Sequence, residues 1–127
     1  MSEAVLDASA LLAFLRKEPG AAKVERVLTG ACMSAVNLSE TLAKLIEYGN
    51  RLEEVVFQID RLRIPVVPFD AELARIAASL RVATRQAGLS LGERACLALA
   101  LKTGLPALTT EEEWLRCDTG VKVVKIR

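Results

Sequence analysis

Four acids fall at or near the points where strand-like runs turn into helical ones: Asp7, Glu40, Glu93 and Glu111. In a parallel sheet such positions can converge at one edge, where several carboxylates repel one another unless a cation offsets them. Hard divalent ions such as Mg²⁺ take oxygen ligands, often one or two carboxylates with retained waters and phosphate oxygens. Metal coordination lowers the pKa of a bound water and stabilises charge on phosphoryl oxygens, so the chemistry indicated is phosphate transfer, and a hydrolase without histidine is chemically reasonable. The chain contains no histidine. That excludes Ser-His-Asp and Cys-His triads, paired-His ribonuclease chemistry, His-ligated zinc and haem.

Each acid also has a structural explanation. Asp7 precedes Ala8-Ser9-Ala10 and can cap a helix N-terminus, an interaction worth about 1 kcal/mol. Glu40 lies four residues before Lys44, the spacing of a helical ion pair worth roughly 0.2–0.5 kcal/mol. Ser90-Leu91-Gly92-Glu93 fits a capping box, and Thr110 to Glu113 offers a second one, with Glu111 and Glu112 placed to favour the helix dipole. Taken one at a time, none of the four demands a function.

The elements that must position these acids alternate along the chain. Ala4-Val5-Leu6 reads as a strand feeding a helix across Asp7, and Ala10 to Leu15 is helical up to Pro19-Gly20. A helix from Ala21 to Leu28 precedes a short buried strand, Ala31-Cys32-Met33, and then a helix from Ala35 to Tyr48 with Leu38, Leu42, Leu45 and Ile46 on one stripe. A helix over Leu52 to Arg61 leads to Ile64-Pro65-Val66-Val67-Pro68, whose prolines suit a strand at a sheet edge. Asp70 then caps a long helix expected to reach Gln86, and Ser90 opens the most apolar helix, stopped by Gly104. Pro106 to Leu108, Glu111 to Arg116 and Val121 to Ile126 complete the pattern as strand, short helix and strand. Such alternation predicts an α/β fold with a parallel sheet covered on both faces, and ligands in these sheets collect at the carboxyl ends of the strands.

Composition sets the remaining bounds. The 127 residues suit one domain spanning 1–127, with no repeat or low-complexity linker, and the core must be aliphatic because only 4% of residues are aromatic while 52% are apolar. With 17 basic and 16 acidic residues there is no global field to draw in nucleic acid or membrane, so a local patch must serve. Arg75, Arg81, Arg85 and Arg94 set four positive charges against Glu93 alone between positions 75 and 94, which makes Arg81, Arg85 and Arg94 candidates for phosphate contact. Their structural alternative is a solvated or ion-paired face. Trp114 reads as a packing anchor. Cys32, Cys96 and Cys117 are odd in number, widely separated and without a CxxC pair, the pattern of buried thiols in a reducing cytosol. No apolar run approaches the roughly 20 residues of a membrane span, and Met1-Ser2-Glu3 leads into the first strand without a basic segment, so a cytoplasmic location is expected.

Val5-Leu6-Asp7-Ala8-Ser9-Ala10-Leu11-Leu12-Ala13, Ser34 to Glu40, Gly88 to Ala100 and Leu108-Thr109-Thr110-Glu111 together resemble the PIN-domain ribonucleases, specifically VapC-type toxins of toxin–antitoxin pairs. The pieces come in the family's order and spacing over nearly the whole chain, and the Gly88 to Ala100 stretch is the most specific. The resemblance implies a three-layer α/β/α sandwich with a parallel sheet of about five strands. It implies a metal-dependent endoribonuclease that binds Mg²⁺ or Mn²⁺ through Asp7, Glu40, Glu93 and Glu111, with Ser9, Asn37 and Thr109 as supporting partners. Glu112 or Asp118 are alternatives to Glu111. It further implies an RNA substrate, a homodimer, and a cognate antitoxin through which alone the chain meets DNA. The family more often has Asp at positions 93 and 111, and each added methylene moves a carboxylate by about 1.5 Å.

Three other readings compete. A PIN-like module weakened in catalysis, acting as an antitoxin-binding or assembly subunit, is motivated by Glu93 and Glu111. A receiver domain shares the length and the acid after the first strand but expects an earlier acid pair and a late lysine. An acid-nucleophile phosphatase expects a second Asp where this chain has Ser9.

Overall fold

The computed structural model describes residues 2–127. Five strands form one all-parallel sheet in the order β3-β2-β1-β4-β5: β1 (Ala4–Leu6), β2 (Ala31–Ser34), β3 (Val66–Val67), β4 (Ala107–Thr109) and β5 (Val123–Lys125). The chain first winds outward from β1 through β2 to β3. It then returns to the other side of β1 to lay down β4 and β5. The order therefore reverses between β1 and β4, and a crevice opens beyond their carboxyl ends, where open parallel sheets bind ligands.

Side chains leave alternate faces of each strand, and the two faces have separate cores. Val5, Cys32 and Ala107 pack with Leu73 and Ala77 of α5 (Ala71–Ser79), with Cys96 to Ala100 of α7 (Leu91–Thr103), and with Trp114. Ala4, Leu6, Ala31, Met33 and Leu108 face the other way, onto Ala10, Leu11 and Ala13 of α1 (Ala8–Leu15) and Val24 of α2 (Ala21–Val27). The result is the expected α/β/α sandwich. A third cluster joins α3 (Ala35–Glu47) to α4 (Leu52–Asp60) through Leu45, Val55 and Ile59, with Leu12 and Leu15 of α1 packed against it. Ile46, read as part of the α3 stripe, lies at its margin and is 44% exposed.

The prolines place β3 at the sheet edge as expected, with the Pro65 carbonyl accepting from Met33 N at 3.1 Å. The expected long helix from Asp70 to Gln86 is instead broken after Ser79, and a short α6 (Arg81–Thr84) follows. Asp70 does cap α5, accepting from Leu73 N at 3.0 Å. At the other end a guanidinium nitrogen of Arg94 reaches across from α7 and donates to the Ala77 carbonyl at 3.0 Å. A cation on the last carbonyls is a favourable helix stop. The last strand is shorter than its apolar run, three residues rather than Val121 to Ile126. Cys32 and Cys96 are buried as expected, whereas Cys117 is only half-buried. Among the described residues no helix is long and apolar enough to cross a membrane.

Candidate active site

Asp7 is the residue that leaves β1, and its backbone N–H still pairs with the Leu108 carbonyl of β4 at 3.0 Å. Its backbone geometry is that of a helix cap, yet its side chain makes no capping bond to a backbone N–H of α1. Instead the Ser9 hydroxyl donates to Asp7 Oδ2 at 2.6 Å and the Thr109 hydroxyl donates to the same oxygen at 3.0 Å. Both hydroxyls are themselves acceptors from the loop after β4, Ser9 Oγ from Thr110 N and Thr109 Oγ1 from Glu111 N, each at 3.1 Å. This small network knits the ends of β1 and β4 together. It also leaves Asp7 Oδ1 without a hydrogen-bond partner among the described residues.

Glu40 comes from α3. The ion pair that its spacing suggests does not form, since Lys44 pairs with Glu47 at 3.7 Å. Glu40 Oε1 accepts from Asn37 Nδ2 at 3.1 Å, and the same amide group donates to the Gly92 carbonyl of α7 at 2.9 Å. Asn37 is fully buried, so it fixes α3 against the first turn of α7 with the Glu40 carboxylate lying on the Gly92 backbone. With Glu40 in this position only glycine leaves room, because a side-chain carbon at position 92 would overlap that carboxylate.

Glu93 does form the capping box its sequence suggests, with Oε1 accepting from Ser90 N at 3.0 Å and Ser90 Oγ accepting from Glu93 N at 3.2 Å. Its second oxygen accepts from Trp114 Nε1 at 2.9 Å. Glu111 stands half-buried at the start of a 3-10 turn, Glu112–Arg116, and the capping box expected from Thr110 is absent. All four acids line one cleft of about 500 Å³, together with Ser9, Lys44 and Ser90.

The electrostatics follow from this arrangement. Asp7 is 3% exposed, and burial pushes its carboxyl up to about 6; the Ser9 and Thr109 hydrogen bonds oppose the rise, and the charges of Glu93 and Glu40 add to it. Glu40 is raised by burial, with the Asn37 hydrogen bond opposing and Glu93 adding. Glu111 is raised by burial and by Glu93 and Glu113. No salt bridge reaches any of the four acids among the described residues.

An acid raised on folding binds more protons folded than unfolded between its two pKa values, so its contribution to stability is full at low pH and lost as pH rises through the folded value. For Asp7, raised from 3.8 to about 6, the metal-free protein should therefore gain on the order of 1 kcal/mol on going from about pH 7 to about pH 5. Glu40 and Glu111 act in the same direction. Urea unfolding in EDTA across that range checks the slope. Saturating Mg²⁺ should flatten it, since a metal binds the ionised acids.

Oxygen donors without thiol or imidazole suit a hard cation. Among the described residues no three acids or thiols converge closely enough to enclose an ion by themselves. The fit is to a hydrated Mg²⁺-like ion that keeps several waters, rather than to a cage made wholly of protein.

The remaining candidates are placed differently. Arg81 and Arg85 are exposed on and just after α6, and neither lines the cleft. Arg94 is half-buried and engaged with Ala77. The cation that does line the cleft is Lys44, which sequence reasoning had paired with Glu40. The signal was present in that same four-residue spacing, which puts both side chains on one face of α3. Trp114 and Ser90 were read only as packing and cap, and both bond to Glu93.

Comparison with known proteins bears on the fold and the family. Among solved structures the chain is similar to a protein of a toxin–antitoxin complex from Klebsiella pneumoniae, at 16% identity over 98% of both chains with a TM-score of 0.76. It is similar to a chain of DNA-bound VapBC from Salmonella typhimurium, at 18% identity over 100% of both chains with a TM-score of 0.73. It is also similar to a chain of FitAcB from Neisseria gonorrhoeae, at 20% identity over 97% of both chains with a TM-score of 0.72. At such identities the likeness establishes the fold. No curated protein matches. The family model of the PIN domain matches residues 4–119, a span that includes all four acids and both strand ends that carry the hydroxyl network, and the chain belongs to that family.

Proposed function

We propose that this protein is the toxin of a toxin–antitoxin pair, an endoribonuclease that hydrolyses cellular RNA with Mg²⁺ or Mn²⁺ held at Asp7, Glu40, Glu93 and Glu111. One observation carries the reading: a buried acid at the topological switch point shares a cleft with Glu40, Glu93 and Glu111, and among the described residues no salt bridge neutralises any of these four, Lys44 on the cleft wall pairing with a fifth acid, Glu47. A fold does not keep such an arrangement for stability, because buried carboxylates without a partner are destabilising. When bound, the ion supplies an acidified water and stabilises charge on the phosphoryl oxygens.

The chain's own residues prepare the cleft for that chemistry. Ser9 and Thr109 turn Asp7 so that Oδ2 is satisfied and Oδ1 is left free. Asn37 holds Glu40 on the α7 backbone. Lys44 offers an ammonium group on the cleft wall where an RNA phosphate would lie. Arg81 and Arg85 are exposed outside the cleft and remain candidates for phosphate contact, which suits recognition by backbone and shape.

A second protein completes the reading. Several solved structures with this fold come from toxin–antitoxin complexes, some bound to DNA. An acid-lined cleft is complementary to an Arg or Lys from a partner's tail, and DNA contact would come through that partner. The toxin itself is proposed to pair with a second copy.

The test is cleavage of total cellular RNA by protein free of antitoxin, in EDTA, Mg²⁺ or Mn²⁺, with Glu93→Asp alongside. RNA should be cut only with metal, and Glu93→Asp should retain or raise the activity. Equal cleavage in EDTA would refute a metal mechanism. Intact RNA with the natural chain and cleavage only with Glu93→Asp would assign it instead to the weakened, antitoxin-binding class.

A further inference from the structure

Trp114 is the single tryptophan of the chain and its largest fully buried side chain, 1% exposed. It sits in the 3-10 turn three residues after Glu111, and its ring packs in the core beneath α7. A buried indole needs a partner for its one N–H. The nearest solution for a core residue is a backbone carbonyl. Here the partner is the carboxylate of Glu93, at 2.9 Å, on a different element and on the wall of the acid cleft.

We propose that Trp114 is the positioning residue of the metal site: its indole N–H fixes Glu93 in the one orientation from which that carboxylate serves the cleft. The inference rests on the reading of the cleft as a metal site and assigns it a part that the ring's burial alone does not. A glutamate has three side-chain torsions, and the capping box restrains only Oε1. A rotation about the last torsion would exchange the two oxygens. The indole bond to Oε2 removes that freedom, so both oxygens are held, each by one donor. An ionised carboxylate offers about four acceptor positions, and two donors leave lone pairs for a hydrated cation.

The same contact ties two elements into one unit. Glu93 belongs to the first turn of α7, and Glu111 to the loop that leaves β4. The loop's own turn carries Trp114, so the indole bond sets the distance between those two acids. Among the described residues it is the one hydrogen bond between the first turn of α7 and the turn that follows Glu111.

Outer-shell hydrogen bonds of this kind typically change metal affinity by 10–100-fold when removed. Trp114→Phe keeps an aromatic ring in the core and deletes the N–H. It should weaken Mn²⁺ binding, followed by isothermal titration calorimetry and by the electron paramagnetic resonance of free Mn²⁺, by about tenfold or more. In a Glu93→Gln background, where the charged acceptor is gone, Trp114→Phe should weaken binding no further. A purely structural ring would produce the same loss in both backgrounds. The single indole N–H also gives one resolvable nuclear magnetic resonance signal, which should move on Glu93→Gln in EDTA and move again on Mg²⁺ addition to the natural chain.

Unchanged Mn²⁺ affinity in Trp114→Phe, with RNA cleavage intact, would overturn the positioning role while leaving the nuclease reading in place. An indole signal that ignores Glu93→Gln would overturn it too. If the signal responds to Glu93→Gln but the natural chain binds no Mn²⁺, the metal site itself is wrong and the positioning role falls with it. Loss of folding in Trp114→Phe, seen by circular dichroism, would be met by Trp114→Tyr and by the indole signal, which needs no substitution at position 114.

Discussion

Asp7→Asn should give a protein that is more stable without metal and less active with it. At neutral pH the folded chain holds an ionised Asp7 whose surroundings favour the protonated form, with a pKa of about 6 against 3.8 for the free group. That difference corresponds to an upper bound on the order of 3 kcal/mol for the strain imposed by burial and by Glu93 and Glu40. Asparagine keeps the shape and removes the charge. Its oxygen can take the place of Oδ2 and retain both hydroxyl donors, and its amide nitrogen then faces the open cleft. A gain of about 1–3 kcal/mol at pH 7 in EDTA is expected, which for a chain of this size raises the melting temperature by several degrees. Calorimetric melting reads it directly. Metal-dependent RNA cleavage should fall by about a hundredfold or more, because the neutral amide is a poor ligand for a hard cation and the cleft loses its most buried charge. A destabilised Asp7→Asn would instead mean that the acid is a structural acceptor for Ser9 and Thr109. Stability and activity moving in opposite directions is the signature of a site kept for function.

Gly92→Ala separates the fold from the site in another way. In most helices this change is favourable by about 1 kcal/mol, since glycine loses more backbone freedom on folding. Here the new methyl group would occupy the place of the Glu40 carboxylate. What it meets is the far end of a flexible side chain, and Glu40 can swing outward into solvent. Stability should therefore change by less than about 1 kcal/mol. Function should not survive so well: Glu40 leaves the cleft, its bond to Asn37 Nδ2 is lost, and metal affinity drops by about tenfold or more. Urea unfolding beside Mn²⁺ titration checks both halves. If Gly92→Ala binds Mn²⁺ as the natural chain does, Glu40 is not a ligand. The pair of variants thus tests the two ends of the cleft independently.

Much of this arrangement is legible in the sequence because it is local. Alternating apolar runs and helical stripes specify the order of elements, two prolines mark β3 as an edge, and Ser90 with Glu93 forms the capping box its spacing describes. What the sequence does not show is contact at long range. The helix from Asp70 breaks because a guanidinium from α7 takes the Ala77 carbonyl, and nothing in the local run of residues announces that partner. Asp7 looks like a cap from its neighbours, yet it caps no backbone N–H and accepts instead from two hydroxyls, Ser9 beside it and Thr109, 102 residues further on. Glu40 looks like half of an ion pair until Asn37 and Gly92 are seen around it. The acids could be picked out by type and place. Their supporting partners, Trp114 above all, come from the fold.

The reversal of strand order between β1 and β4 also fixes when, during synthesis, the cleft is completed. Asp7 is synthesised about a hundred residues before Thr109, Glu111 and Trp114, and β4 must enter the sheet beside β1 before the cleft has its far wall. Pairing across such a separation comes late, because the chain's closure entropy must be overcome before the contact forms. A growing chain, or one cut short before position 107, carries Asp7 and Glu40 but no place for them to act. Synthesis thus separates the appearance of Asp7 and Glu40 from the appearance of the cleft, and under the proposed function that interval is open to a neutralising partner.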